Sequence, residues 1–95
     1  MFNICVTFTC LEGKREKFVE KVRAEGILEA ILAEDGCERY DYYYSEKNEN
    51  ELMLIETWQT EAHQKVHLEQ PHMAKLRSFK NEYISDTKIV EFSIV

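Results

Sequence analysis

Two histidines flank the one proline of this chain, in the stretch HLEQPH at residues 67–72. Imidazole is the side chain whose ordinary titration falls near neutral pH, so a paired His67 and His72 can exchange protons under physiological conditions. Pro71 does not fit inside a helix but suits the first turn of a new one. The spacing therefore predicts one helix ending near Leu68 or Glu69 and another starting at Pro71. His67 then falls in a last turn, whose free carbonyls favour the imidazolium, and His72 in a first turn, whose free amides favour the neutral ring. Such terminus effects are typically about 0.3–1 kcal/mol, so the two rings separate by less than roughly one pKa unit. A pair biased in opposite directions can serve as an acid and a base. The plainer role for both rings is to cap helix ends or to bond the backbone.

Other chemistries find less support. His63 and His67 are four apart on the first of these helices and can share a metal, with His72 as a third ligand. But residue 64 is Gln rather than the Glu of a metalloprotease, and the thiols show no CxxC spacing. No metal is expected. Three glycines and no glycine-rich loop argue against a nucleotide held by its phosphates. The cysteines, Cys5, Cys10 and Cys37, are odd in number, so they cannot all pair within the chain. Reduced thiols in a cytoplasmic protein are expected, filling space rather than acting as nucleophiles.

The elements that must position the histidines are legible from periodicity. Residues 2–10, FNICVTFTC, alternate with Phe2, Ile4, Val6, Phe8 and Cys10 on one face, the pattern of a strand. From Lys14 to about Glu34 the apolar residues Phe18, Val22, Leu28, Ile31 and Leu32 recur at helical spacing, interrupted at Gly26. EDGC closes this helix, with Gly36 suited to a left-handed position. Residues 37–45 form an aromatic strand with Tyr40, Tyr42 and Tyr44 on one face, and residues 52–58 a second strand, apolar enough for burial on both faces. Thr60 caps the next helix, with Ala62 and Val66 on its apolar side. After Pro71 the stripe is Met73, Leu76, Phe79 and Tyr83, and residues 87–95 make the last strand. The order β-α-β-β-α-β predicts an α+β, ferredoxin-like domain over 1–95: an antiparallel four-stranded sheet with helices on one face. The other face stays bare although two strands carry apolar residues on both sides. A homodimer in which two sheets close into an α+β barrel resolves this.

The totals narrow the function. Ninety-five residues make one domain, 44% hydrophobic and 32% charged, so the chain is not disordered. A net charge of −6 lacks the basic footprint of a nucleic-acid binder. No segment has the length of a membrane span or the pattern of a signal peptide.

Against this frame EDGCERYDYYYS, then LIETWQTEAHQKVHLEQPHMAKL, resembles the antibiotic biosynthesis monooxygenase family of small dimeric α+β barrels. The resembling residues are Gly36, Cys37, Arg39, Tyr40, Asp41, Glu56, Trp58, His67, Pro71 and His72. The family includes cofactor-free oxygenases of quinols and polyhydroxylated aromatics, an isomerase that processes a quorum-sensing signal, and heme-degrading enzymes. The heme-degrading members need an Asn, a Trp and a His, and the corresponding positions near Val6, His67 and Arg77 carry none of these in register. The resemblance therefore implies a quinol-type monooxygenase, without cofactor or metal, that uses a small-molecule substrate and dioxygen.

In that scheme His67 and His72 supply the base, and Tyr40, Tyr42, Tyr44, Trp58 and Met73 wall the substrate. Glu56 is expected as a structural carboxylate bonded to a partner such as Arg39. Two alternatives stand beside the oxygenase: an isomerase of a small carbonyl metabolite and a non-catalytic ligand-binding dimer. The common expectation is that Pro71 aims both rings into a hollow between sheet and helices.

Overall fold

The computed structural model describes residues 1–94. Strand β1 (Phe2–Cys10) leads into helices α1 (Arg15–Ala24) and α2 (Ile27–Leu32). The hairpin β2 (Cys37–Tyr44) and β3 (Glu51–Trp58) follows, then α3 (Glu61–Leu68), α4 (Pro71–Lys80) and β4 (Ile84–Phe92). The sheet is antiparallel with strand order β2-β3-β1-β4, the ferredoxin-like arrangement the sequence order implies.

Alternation decides the two faces. On the helix-covered face Ile4, Val6, Phe8, Leu52, Leu54 and Trp58 are buried against Phe18, Val22, Ile31, Leu76 and Phe79. Opposite them, Cys5, Met53, Ile55 and Val90 look away from the helices, as their pairing in register requires. Within the single chain residues 52–58 are buried fully on the helix-covered face, while Met53 is exposed and Ile55 half-buried on the other.

Several boundaries differ from the sequence expectation. The helix expected over 14–34 is two helices, because Gly26 adopts φ +73°, a left-handed conformation that ends one and caps the next. The last strand begins at Ile84 rather than at residue 87, so Tyr83 lies in a turn beyond α4 yet still packs against Phe18 and Phe79. The strand ends at Phe92, short of the expected end, and residue 95 itself lies outside the described residues. The break at Pro71 and the Thr60 cap stand where expected: Thr60 Oγ1 accepts from the His63 amide, and Pro71 opens α4. Ala62 and Val66 do not face the core. Val66 is 55% exposed, and the buried residue of α3 is His67, at 1%.

Candidate active site

His67 sits in the last turn of α3, with its ring between the sheet and the turn that joins α2 to β2. It lies against Trp58 at 4.6 Å between ring centroids and against Tyr40 at 5.7 Å. Its Nδ1 is 2.7 Å from Oε2 of Glu34. Glu34 belongs to the turn after α2, which bonds back through its amide to the Ile31 carbonyl. The same carboxylate oxygen lies 2.8 Å from Nε2 of His72, the second residue of α4. One carboxylate oxygen thus accepts from two imidazoles. A ring that donates through Nδ1 keeps its lone pair on Nε2, so Glu34 selects the tautomer of His67.

The free nitrogen of His67 points toward a second carboxylate. His67 Nε2 is 4.0 Å from Glu56 Oε1, which also accepts a hydrogen bond from the Trp58 indole at 3.0 Å. Glu56 and Trp58 are two apart on β3 and share its inward face, which is why they meet. Glu56 does not pair with Arg39. Arg39 lies on the opposite face of the sheet, exposed, bonded to Asp41 and Tyr43. Burial pushes the Glu56 carboxyl up to about 7, with the Trp58 hydrogen bond opposing and the Glu34 charge adding to the shift. His67 moves the other way: burial lowers its pKa and outweighs the Glu34 hydrogen bond and charge. The upward bias expected from the end of α3 is overruled, because losing hydration at 1% exposure exceeds what the few carbonyls of a helix terminus return.

His67 and Glu56 form one wall of a cavity of about 190 Å³ between sheet and helices. Ile4, Val6, Phe8, Phe18, Leu54 and Met73 make it apolar, Tyr40 and Tyr42 give it an aromatic side, and Arg77 and Lys80 stand along α4. The Tyr40 and Tyr42 rings meet edge to face at 6.0 Å, and burial raises both phenols above the usual range, so both stay protonated.

Of the residues chosen from sequence, His67, Tyr40, Tyr42 and Met73 line this cavity. His72 does not. Its ring approaches Glu34 from the solvent side and is 20% exposed, so one imidazole rather than two faces the cavity. Trp58 is fully buried behind His67 and has no surface in the cavity. Tyr44, two residues beyond Tyr42, is half exposed under the Arg15 guanidinium, 4.8 Å from its ring centre, and is not part of the site.

Glu34 was missed because EDGC reads as a helix terminus. The i, i+4 spacing of His63 and His67 serves that turn. His63 Nε2 reaches Asp35 at 3.4 Å while His67 holds Glu34, so one helix clasps two successive acids. Among the described residues the ligand atoms of Glu34, His67 and His72 lie within 4.8 Å of one another. In this structure they stand at hydrogen-bond distance from one another. Cys37 is a poor nucleophile: burial and the Glu34 and Glu56 charges push its thiol up to about 11.

The family model described as antibiotic biosynthesis monooxygenase matches residues 1–78. The protein YcnE of Bacillus subtilis (strain 168), named as a candidate monooxygenase, is 34% identical over 59 residues; the match spans 62% of this chain and 60% of YcnE. Among solved structures, a candidate antibiotic biosynthesis monooxygenase from Nitrosomonas europaea superposes with a TM-score of 0.87 at 23% identity, covering 100% of this chain and 99% of the other. PA3566 from Pseudomonas aeruginosa gives 0.86 at 21% identity, covering 99% and 93%. At these identities the structures speak to the fold, while the family model, matching most of the chain from β1 into α4, speaks to descent. The chain belongs to the antibiotic biosynthesis monooxygenase family.

Proposed function

We propose that the protein is a cofactor-independent monooxygenase of a hydroxylated aromatic, with His67 as its general base. The observation that carries this is the Glu34–His67 dyad, which turns a neutral imidazole nitrogen toward an apolar, aromatic-sided cavity. Burial keeps His67 unprotonated at neutral pH, and Glu34 steadies the imidazolium that forms when the ring takes a proton. His72 is a positioning residue that acts on Glu34 from outside. Tyr40, Tyr42 and Met73 are the walls, and Trp58 backs the base.

The chemistry balances without a reductant. His67 Nε2 removes the proton of a ring hydroxyl, and the phenolate passes one electron to dioxygen. Superoxide and the ring radical join at a ring carbon bearing hydrogen, forming a C–O bond. The hydroperoxide then loses that carbon's hydrogen and its O–O bond breaks, giving a quinone carbonyl and one water, with the proton returned through His67. A protonated phenol such as Tyr40 or Tyr42 beside the developing anion, and exclusion of water by the apolar wall, favour these steps.

Oxygen uptake with a panel of hydroquinones tests the reading. Consumption of one dioxygen per quinone formed, lost in His67→Gln, is the expected result. No uptake with any hydroxylated aromatic overturns it.

One observation favours a second reading. Glu56, titrating near 7 at 4.0 Å from His67 Nε2, supplies the second proton-handling group that an isomerase of a small carbonyl compound needs. Solvent deuterium entering a ketose-like substrate without loss of oxygen distinguishes this case.

The functional unit we propose is a homodimer joined through the outer sheet face, where the apolar side chains of Cys5, Met53, Ile55, Val90 and Phe92 lie uncovered by any helix. The free thiols suit a reducing, cytoplasmic setting.

A further inference from the structure

The cavity has two chemically different ends. Glu56 and His67 stand at the level of Ile4, which pairs with Glu56 across the sheet. Lys80 stands at the level of Phe8, its ammonium 5.3 Å from that ring centre, and Phe8 pairs with Thr87 of β4. Four residues of strand separate the two levels, about 13 Å. Arg77 and Lys80 lie three apart on α4, on the side that also presents Met73 and Leu76 to the cavity.

Among the described residues no carboxylate pairs with Arg77 or Lys80, and what sets them apart from the other unpaired lysines and arginines is that they line the apolar cavity. Arg77 spends one donor on the Leu68 carbonyl at 3.1 Å, one residue from His67, and its charge helps lower the His67 pKa, so the guanidinium reaches toward the His67 end while Lys80 holds the other. Lys80 is partly buried over Phe8, and loss of hydration lowers its pKa. Two cations lining an apolar hollow offer an anion a charged partner at its wall.

Size sets the rest of the ligand. An apolar cavity of about 150 Å³ in another protein accommodates benzene. A volume of about 190 Å³ leaves room for one aromatic ring and its substituents, and little more.

We propose that Arg77 and Lys80 form an anion subsite, and that the ligand is a single-ring hydroxylated aromatic bearing a carboxylate. The carboxylate meets the cations while a ring hydroxyl meets His67. This rests on the hydroxyaromatic reading above, and it names the substrate class.

Binding under anaerobic conditions tests it without turnover. The affinities of 2,5-dihydroxybenzoate, hydroquinone and 1,8-dihydroxyanthrone are measured by calorimetry and by quenching of Trp58, the one tryptophan. The acid is expected to bind about 10–100-fold tighter than hydroquinone, an advantage that weakens as salt is raised. Arg77→Gln and Lys80→Met should each erode that advantage, read as the ratio of the two ligands' affinities within each variant. Because Arg77 is exposed, its variant keeps the test open should Lys80→Met fold poorly. Equal affinity for the acid and hydroquinone in the wild type, or a preference that survives both substitutions together, overturns the subsite. Tight binding of the three-ring compound overturns the size argument. A preference for the acid without oxygen uptake upholds the subsite and sinks the oxygenase reading alone.

Discussion

Oε2 of Glu34 lies 2.7 Å from Nδ1 of His67 and 2.8 Å from Nε2 of His72, so one oxygen holds two imidazoles in different environments. His67 is buried at the cavity and His72 is on the solvent side. The arrangement assigns the two rings unequal work. His67→Gln removes the base, and kcat toward a hydroquinone substrate should fall by about 10²–10⁴. His72→Ala removes only a support of Glu34, and a loss of about tenfold is expected. Glu34→Gln keeps an acceptor but not the charge and should fall between them. Equal losses for His67→Gln and His72→Ala in steady-state kinetics would contradict this division.

Glu56 ties stability to pH. Its folded pKa of about 7 lies above the usual value of 4.5, so the folded state binds the proton more tightly in that window. Stability from this group is greatest below about 4.5 and declines as pH rises through 7. Above that the carboxylate costs about 2–4 kcal/mol. His67 runs the opposite way. Its folded pKa is depressed below 6.5, so its contribution improves as pH rises toward that value. Glu56→Gln keeps an acceptor for Trp58 and deletes the charge. Urea unfolding should show the variant gaining on the wild type from pH 5 to pH 8, and a gap that stays constant across this range would mean Glu56 is not desolvated.

Gly36 adopts φ +80°, and a β-carbon there would collide with the ring of His63. Gly36→Ala should destabilise by about 1–3 kcal/mol, from the left-handed backbone together with displacement of His63. Adding His63→Ala should recover the part due to the ring. Because this turn carries Glu34, activity should fall along with the melting temperature, and a variant as stable as wild type by calorimetry would remove Gly36 from the account.

The raised Cys37 thiol predicts slow alkylation. With a pKa near 11, about one molecule in a thousand carries the thiolate at pH 8. Peptide-resolved labelling with iodoacetamide should show the Cys37 rate climbing about tenfold per pH unit between 8 and 10. A plateau by pH 9 would show an ordinary thiol.

For the dimer, sedimentation at micromolar concentration should give twice the mass of one chain. Ile55→Glu, on the outward face of β3, should shift it to monomer while leaving the far-UV spectrum intact. A wild-type monomer at that concentration would remove the face-to-face barrel.

Local pattern carried much of the architecture. Alternation set both faces of β1, and Thr60 and Pro71 placed the starts of α3 and α4, because a cap and a missing amide act within one turn. Gly26 showed where α1 and α2 separate, though periodicity alone ran them together. Val66 misled: its apolar side chain suggested the buried side of α3, which belongs to His67 because Glu34 satisfies the buried ring and Val66 turns toward the outside.

What the sequence by itself determined was the order of elements, the family resemblance and the candidacy of His67. What only the tertiary structure decided was the partner of each charge. Glu34 and His67 are 33 residues apart and meet because the turn after α2 packs against the end of α3. Glu56 rises to about 7 because folding buries it beside Trp58 and far from Arg39, and no local pattern records how much water a carboxylate keeps. Periodicity is a property of neighbours along the chain, whereas hydration and pairing are properties of neighbours in space. The protonation states on which the chemistry depends therefore take shape only when the sheet and helices close over His67.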